Sequence, residues 1–131
     1  MSVEFFCLYA AMVLGLAHLT AASFTFKAQV GNRYSVGARD EDLRPTGMAG
    51  RLDRAQRNFL ETFAIFAAAV LMSHLLGKAG GIGAVGAGVY LAGRVLFLLL
   101  YALGTPWLRT FSWNAATAGL VAVMVDVALP A

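Results

Sequence analysis

Four long apolar stretches divide the chain. The first, Phe5 to Phe26 (FFCLYAAMVLGLAHLTAASFTF), holds no Asp, Glu, Lys or Arg. As a helix it would reach roughly 33 Å, enough to cross a hydrocarbon core of about 30 Å. The second, Phe59 to Gly77, is interrupted only by Glu61 near its start. The third, Ile82 to Leu103, is glycine-rich and then leucine-rich, with Arg94 inside it. The fourth, Phe111 to Leu129, carries Asp126 near its end. Lys78 to Gly81 and Gly104 to Thr110 read as short turns, with Pro106 expected to stop the third helix. The one long connection is Lys27 to Asn58, and the second helix should begin inside it. The pattern predicts an all-α integral membrane four-helix bundle in one domain, residues 1–131, with helices near 5–26, 50–77, 82–103 and 111–129. A β-barrel is disfavoured, because barrel strands alternate over about ten residues and these stretches do not.

Composition narrows the class further. Sixty per cent of the chain is hydrophobic and 13% charged, against about 45–50% and 25% in soluble domains. Disorder needs the opposite balance. The single cysteine, Cys7, excludes a disulfide framework and a cysteine zinc cage. A cleaved signal peptide would want a basic leader and a shorter apolar core, whereas this leader is Met-Ser-Val-Glu. No metal site is expected.

The net charge of +3 comes from one side. Lys27, Arg33, Arg39, Arg44, Arg51, Arg54 and Arg57 lie in or beside the first connection, and Arg109 in the third. The positive-inside rule then predicts both termini on the non-cytoplasmic side; the expected location is a bacterial inner membrane. Nucleic acid is not an expected partner: the same loop holds Asp40, Glu41, Asp42 and Asp53, and no recognition module is present.

The most informative stretch is GRLDRAQRNFLE, Gly50 to Glu61. On a helix, residues three, four and seven apart share a face, so Arg51, Arg54, Asn58 and Glu61 form one polar stripe. Arg57 sits one step off it, spaced to pair with Glu61. Each of these groups costs a few kcal/mol in hydrocarbon, so they must face protein, water or a ligand. Two readings stand: an internal ion-pair ladder locking the bundle, or a pocket for a ligand with carboxylates and an amine. Arg94 has Glu61 or a ligand carboxylate as its expected partner. Arg109 and Thr110 lie near the start of the last helix, where backbone N–H groups and a guanidinium favour an anion, a thiolate included. Thr110 or Ser112 acting as an ordinary N-cap is the plainer alternative. His18 and His74 are expected to hydrogen-bond within the bundle, and Cys7 to pack. The glycines of GGIGAVGAG lack a phosphate loop's Lys-Ser/Thr ending and read as close helix packing.

GRLDRAQRNFLETF resembles the signature of the MAPEG family, membrane-associated proteins in eicosanoid and glutathione metabolism. The family pattern is roughly Glu-Arg-x-x-Arg-Ala-x-x-Asn-x-x-Glu. Arg51, Arg54, Ala55, Asn58 and Glu61 stand at the matching positions, and Gly50 replaces the leading glutamate. The resemblance implies a homotrimer that binds glutathione between neighbouring subunits and acts on lipophilic small molecules or lipids as a transferase, peroxidase or isomerase. It implies that Arg57, Asn58 and Glu61 hold the tripeptide and that Arg54 and Arg94 organise the site, with Arg51 in the same signature. Tyr101 would contact glutathione, and Arg109 with Thr110 would stabilise its thiolate. Phe97, Trp113 and Ile65 stand where family members carry a histidine, a tyrosine and a proline. The family also contains a non-catalytic lipid-binding member, so a lipid-binding scaffold is the alternative. A small transporter gated by Glu61 and Arg94 is disfavoured by the lack of an inverted repeat.

Overall fold

The computed structural model describes residues 1–131. Helix α1 runs Val3–Val30 and begins where the Ser2 hydroxyl accepts the Phe5 N–H at 3.2 Å. It continues a turn past the apolar stretch and ends at Gly31, whose φ of 87° few other residues adopt. A five-residue helix, α2 (Asn32–Val36), follows. The rest of the connection is tied at its base: Gln29 accepts the Thr46 N–H at 3.1 Å and its amide also meets the Thr46 hydroxyl. Helix α3 (Gly47–Leu75) begins within the long connection, as its helix-forming residues require. Helix α4 spans Gly81–Leu103 and α5 spans Pro106–Ala128.

The α4–α5 turn departs from expectation. Gly104, with φ 75° and ψ 25°, ends α4 in the left-handed conformation. Pro106 instead opens α5, at the one position where its missing N–H and fixed φ cost nothing. The last helix therefore starts at Pro106 rather than Phe111, and Arg109 and Thr110 lie inside its first turns.

Helices α4 and α5 form the tightest pair. A Cβ on Gly86 would come within 2.6 Å of the Gly119 carbonyl oxygen, and the reverse holds at the same distance. The Ser112 hydroxyl donates to the Gly93 carbonyl at 2.6 Å across the same seam. Small residues thus bring the backbones together, as the glycine-rich stretch predicts. Helix α1 packs on α3 and α4. The shared core includes Leu14, Phe59, Phe66, Tyr90, Leu120 and Val123, with Phe66 stacked on Tyr90 at 4.1 Å between centroids. Outward faces stay apolar and exposed, as at Leu16, Phe24, Val85 and Leu96. All four long helices are long and apolar enough to cross a membrane, so the chain is an integral membrane four-helix bundle.

The end that holds the α3–α4 turn is knitted shut. The Glu4 carboxylate accepts the Gly80 N–H where α4 begins. The Lys78 ammonium donates to the carbonyls of Asp126 (3.1 Å) and Val127 (3.0 Å), and also to that of Leu129, covering the end of α5. Cys7 is buried and unpaired, as a packing residue.

Candidate functional site

The opposite end gathers the polar stripe. The first half of α3, the second half of α4 and the start of α5 converge there. Arg94 is 1% exposed. One of its terminal nitrogens donates to Asn58 Oδ1 at 2.8 Å. Its guanidinium carbon lies 4.3 Å from the Phe97 ring centroid and 5.5 Å from that of Phe59. Its other two nitrogens have no partner. The expected partner, Glu61, is instead exposed and makes no ion pair. The stripe therefore splits: Arg51, Arg54 and Asn58 turn toward α4, and Glu61 turns outward, where the helix's rotation carries it.

Tyr101 is the hub of the second layer. Its hydroxyl accepts from Arg54 Nε at 3.1 Å. The Arg109 guanidinium carbon sits 4.5 Å from the same ring's centroid and that of Arg54 sits 6.0 Å away. Arg51 Nε donates to the Ala102 carbonyl at 3.2 Å, at the end of α4 where carbonyls lack helical partners. Between these groups lies a cavity of about 260 Å³, lined by Asn58, Phe97, Tyr101, Arg109, Thr110 and Trp113.

Thr110 is not an N-cap, because its hydroxyl donates back to the Pro106 carbonyl at 3.1 Å. Ser112 does not cap either, being committed to Gly93. Thr105 holds the N-cap position without a side-chain hydrogen bond. The first N–H groups of α5 are thus left without side-chain acceptors, beside Arg109.

Arg57 does not join the cluster. It pairs with Asp53 rather than Glu61 and faces α1. Neither does His18 find the expected hydrogen bond. Both its ring nitrogens lack partners, and the ring stacks on Phe59 at 4.9 Å. His74 packs against the Phe5 ring at 4.2 Å. The aromatic walls around Arg94 were not foreseen as its partners. The signal available for one of them was the three-residue step from Arg94 to Phe97, which stacks the pair on one helix face.

Two ion pairs form in the whole chain, Arg57–Asp53 and Arg44–Asp42. Neither lies in the cluster. Arg51, Arg54, Arg94 and Arg109 therefore share one end of the bundle with no carboxylate paired to any of them. An internal ion-pair ladder is ruled out. What remains is a set of guanidinia held by a carbonyl, a hydroxyl, an amide and ring faces, of which Arg109 lines the cavity.

A membrane-spanning four-helix bundle with an unneutralised arginine cluster at one end defines the class. The MAPEG family model matches residues 5–129, and the chain belongs to that family, whose proteins act in glutathione and eicosanoid metabolism. No curated protein and no solved structure matches the chain significantly.

Proposed function

We propose that this protein binds glutathione in the Asn58–Arg109 cavity and uses its thiolate against lipophilic electrophiles, as a membrane-bound transferase or peroxidase. The observation that carries this reading is the absence of any carboxylate paired with the four clustered arginines. Glutathione brings two carboxylates, an ammonium and a thiol. A guanidinium takes a carboxylate bidentately, and Arg109 lines the cavity with no ion-pair partner of its own. Asn58 already accepts from Arg94 through Oδ1, leaving its NH₂ as a donor. The exposed Glu61 carboxylate suits the ammonium.

Arg109 is the thiol-activating residue in this reading. It lies in the first turns of α5, where the helix dipole and unpaired N–H groups add to its charge. Nearby positive charge lowers a thiol's pKa and so raises its thiolate fraction. The thiolate then attacks the electrophile, giving a thioether, or attacks a hydroperoxide, releasing an alcohol. Thr110 flanks the site through its exposed position. The working unit is a homotrimer with glutathione between neighbouring protomers, which gives the outward-facing Glu61 and Arg57 ligands to reach. The termini lie on the non-cytoplasmic side of a bacterial inner membrane, with the clustered arginines on the basic side.

The alternative of a non-catalytic lipid-binding scaffold has one observation in its favour. A groove of about 670 Å³ between α3 and α5 is lined wholly by apolar side chains, among them Ile65, Met72 and Met124. A titration of the detergent-solubilised protein separates the two. Glutathione should bind and generate thiolate absorbance in the wild type. Arg109→Ala should retain binding and lose that absorbance at least tenfold, while Asn58→Ala should weaken binding itself. Absence of binding at millimolar glutathione would leave the scaffold.

A further inference from the structure

Phe59 follows Asn58 on α3 and leaves the helix in another direction, about 100° around its axis. Asn58 lines the cavity beside Arg109. Phe59 enters the bundle, where it is fully buried. Helix α1 has a slot for its ring. Gly15 and His18 stand three residues apart, on one face of α1. A Cβ on Gly15 would lie 3.2 Å from Phe59 Cε1, tighter than ordinary contact, so the ring rests on bare backbone. The His18 ring stacks on the Phe59 ring, with centroids 4.9 Å apart and planes 20° from parallel. Neither His18 nitrogen has a hydrogen-bond partner, so the contact is one of ring surfaces alone.

The same ring meets the buried cation. The Arg94 guanidinium carbon lies 5.5 Å from the Phe59 centroid, and Arg94 donates to Asn58 Oδ1 at 2.8 Å. A run of contacts thus leads from α1 through Phe59 and Arg94 to Asn58, an amide on the cavity wall. Phe63 backs the ring at 5.3 Å. His18, Phe59 and Arg94 are each at most 1% exposed, and a close-packed interior transmits strain rather than absorbing it. A ring pushed off Gly15 must carry Arg94 or the α3 backbone with it, and either one moves Asn58. Helix α1 itself contributes no side chain to that cavity.

We propose that Phe59 is a positioning residue for the ligand site, and that the Gly15–His18 slot of α1 sets where it stands. The slot fixes the ring, and the ring and the Asn58 amide together fix the guanidinium. The guanidinium in turn fixes the Asn58 carboxamide, holding Oδ1 and leaving the NH₂ for a ligand. A binding group works only when held to within about 0.5 Å of its productive place, so a helix that never touches the ligand still governs its affinity. Glutathione as that ligand rests on the function proposed above; the positioning by α1 does not.

Variants of α1 in the full-length, detergent-solubilised protein test this. Gly15→Ala places a methyl against the ring, and His18→Ala removes one wall of the slot. Each should lower glutathione affinity about threefold or more by isothermal titration. His18→Phe, which restores a flat ring, should return it to within about twofold of the wild type. Val123→Ala truncates the core where α5 packs on Gly86, so it should cost stability in denaturant and leave affinity unchanged. The Arg94 Nε–H resonance of ¹⁵N-labelled protein, shifted by the rings around it, gives a readout without ligand. It should move in Gly15→Ala and His18→Ala and hold still in Val123→Ala. An unmoved resonance in both α1 variants would overturn the proposal, as would affinity losses that merely follow stability across the whole set. A wild type that binds no glutathione would instead remove the ligand, and the resonance alone would then decide the positioning.

Discussion

Arg94 carries its charge inside an apolar bundle on one hydrogen bond and two aromatic faces. A buried cation so thinly supported depends on each support. Removing the Asn58 amide leaves the guanidinium without a protein acceptor, which costs about 1–3 kcal/mol. Asn58→Ala should therefore be less stable in a denaturant titration by that amount, as well as weaker toward glutathione. Asn58→Asp should bind glutathione more weakly still, because it places a carboxylate where the ligand's own carboxylate is wanted. Tyr101→Phe separates two roles of one side chain. It keeps the ring beneath Arg109 and removes the acceptor of Arg54. Glutathione affinity should fall a few-fold by isothermal titration, with thiolate absorbance per bound molecule unchanged. The stripe Arg51–Arg54–Asn58 was legible from spacing alone. The partner of Arg94 was not. A helical period fixes which side chains of one helix share a face, but not how far a neighbouring helix is rotated. That rotation sets Phe59 against the guanidinium and sends Glu61 outward.

Among the elements, the α4–α5 pair is governed by close approach. Gly86 and Gly119 face each other with no room for a Cβ. Gly86→Ala should push the pair apart and destabilise the bundle by about 1–3 kcal/mol, read as loss of helicity at lower denaturant. Gly88 meets nothing within 4 Å, so Gly88→Ala should be neutral or slightly stabilising, because alanine orders a helix at less entropic cost. This contrast checks geometry rather than glycine content. The glycine-rich stretch announced tight packing in the sequence, but which glycines touch α5 depends on the register between the helices. Pro106 shows the same limit. A proline between two apolar stretches can end one helix or begin the next, and the choice fell to Gly104, whose left-handed conformation had already ended α4.

For the molecule as a whole, the apolar outer faces mark a bundle built for a bilayer, with its unneutralised cations gathered at one end. The span count and the family were readable from hydropathy and from GRLDRAQRNFLETF. The absence of neutralisation was not, since it is a property of where every carboxylate in the chain ends up: Asp53 went to Arg57 and Asp42 to Arg44. The proposed trimer should appear in native mass spectrometry as three chains, and the monomer alone should bind glutathione at least tenfold more weakly. That outcome is expected because Glu61, on the outer surface, contributes to the ligand only where protomers adjoin.

The knitting of Glu4 to Gly80 and of Lys78 to the tail of α5 has a mechanical corollary. One tip of the bundle is a fixed pivot, while the other concentrates four like charges that push apart when nothing anionic lies between them. Strain of that kind relaxes by a slight splaying of the α4–α5 junction, so amide protons near Leu100 to Thr110 should exchange with deuterium faster than those near Gly83. An arriving anion draws the loose tip together. In the proposed function the bundle would then act as a clothes-peg held open by charge, with the lipid-soluble reactant meeting the thiolate at its jaws.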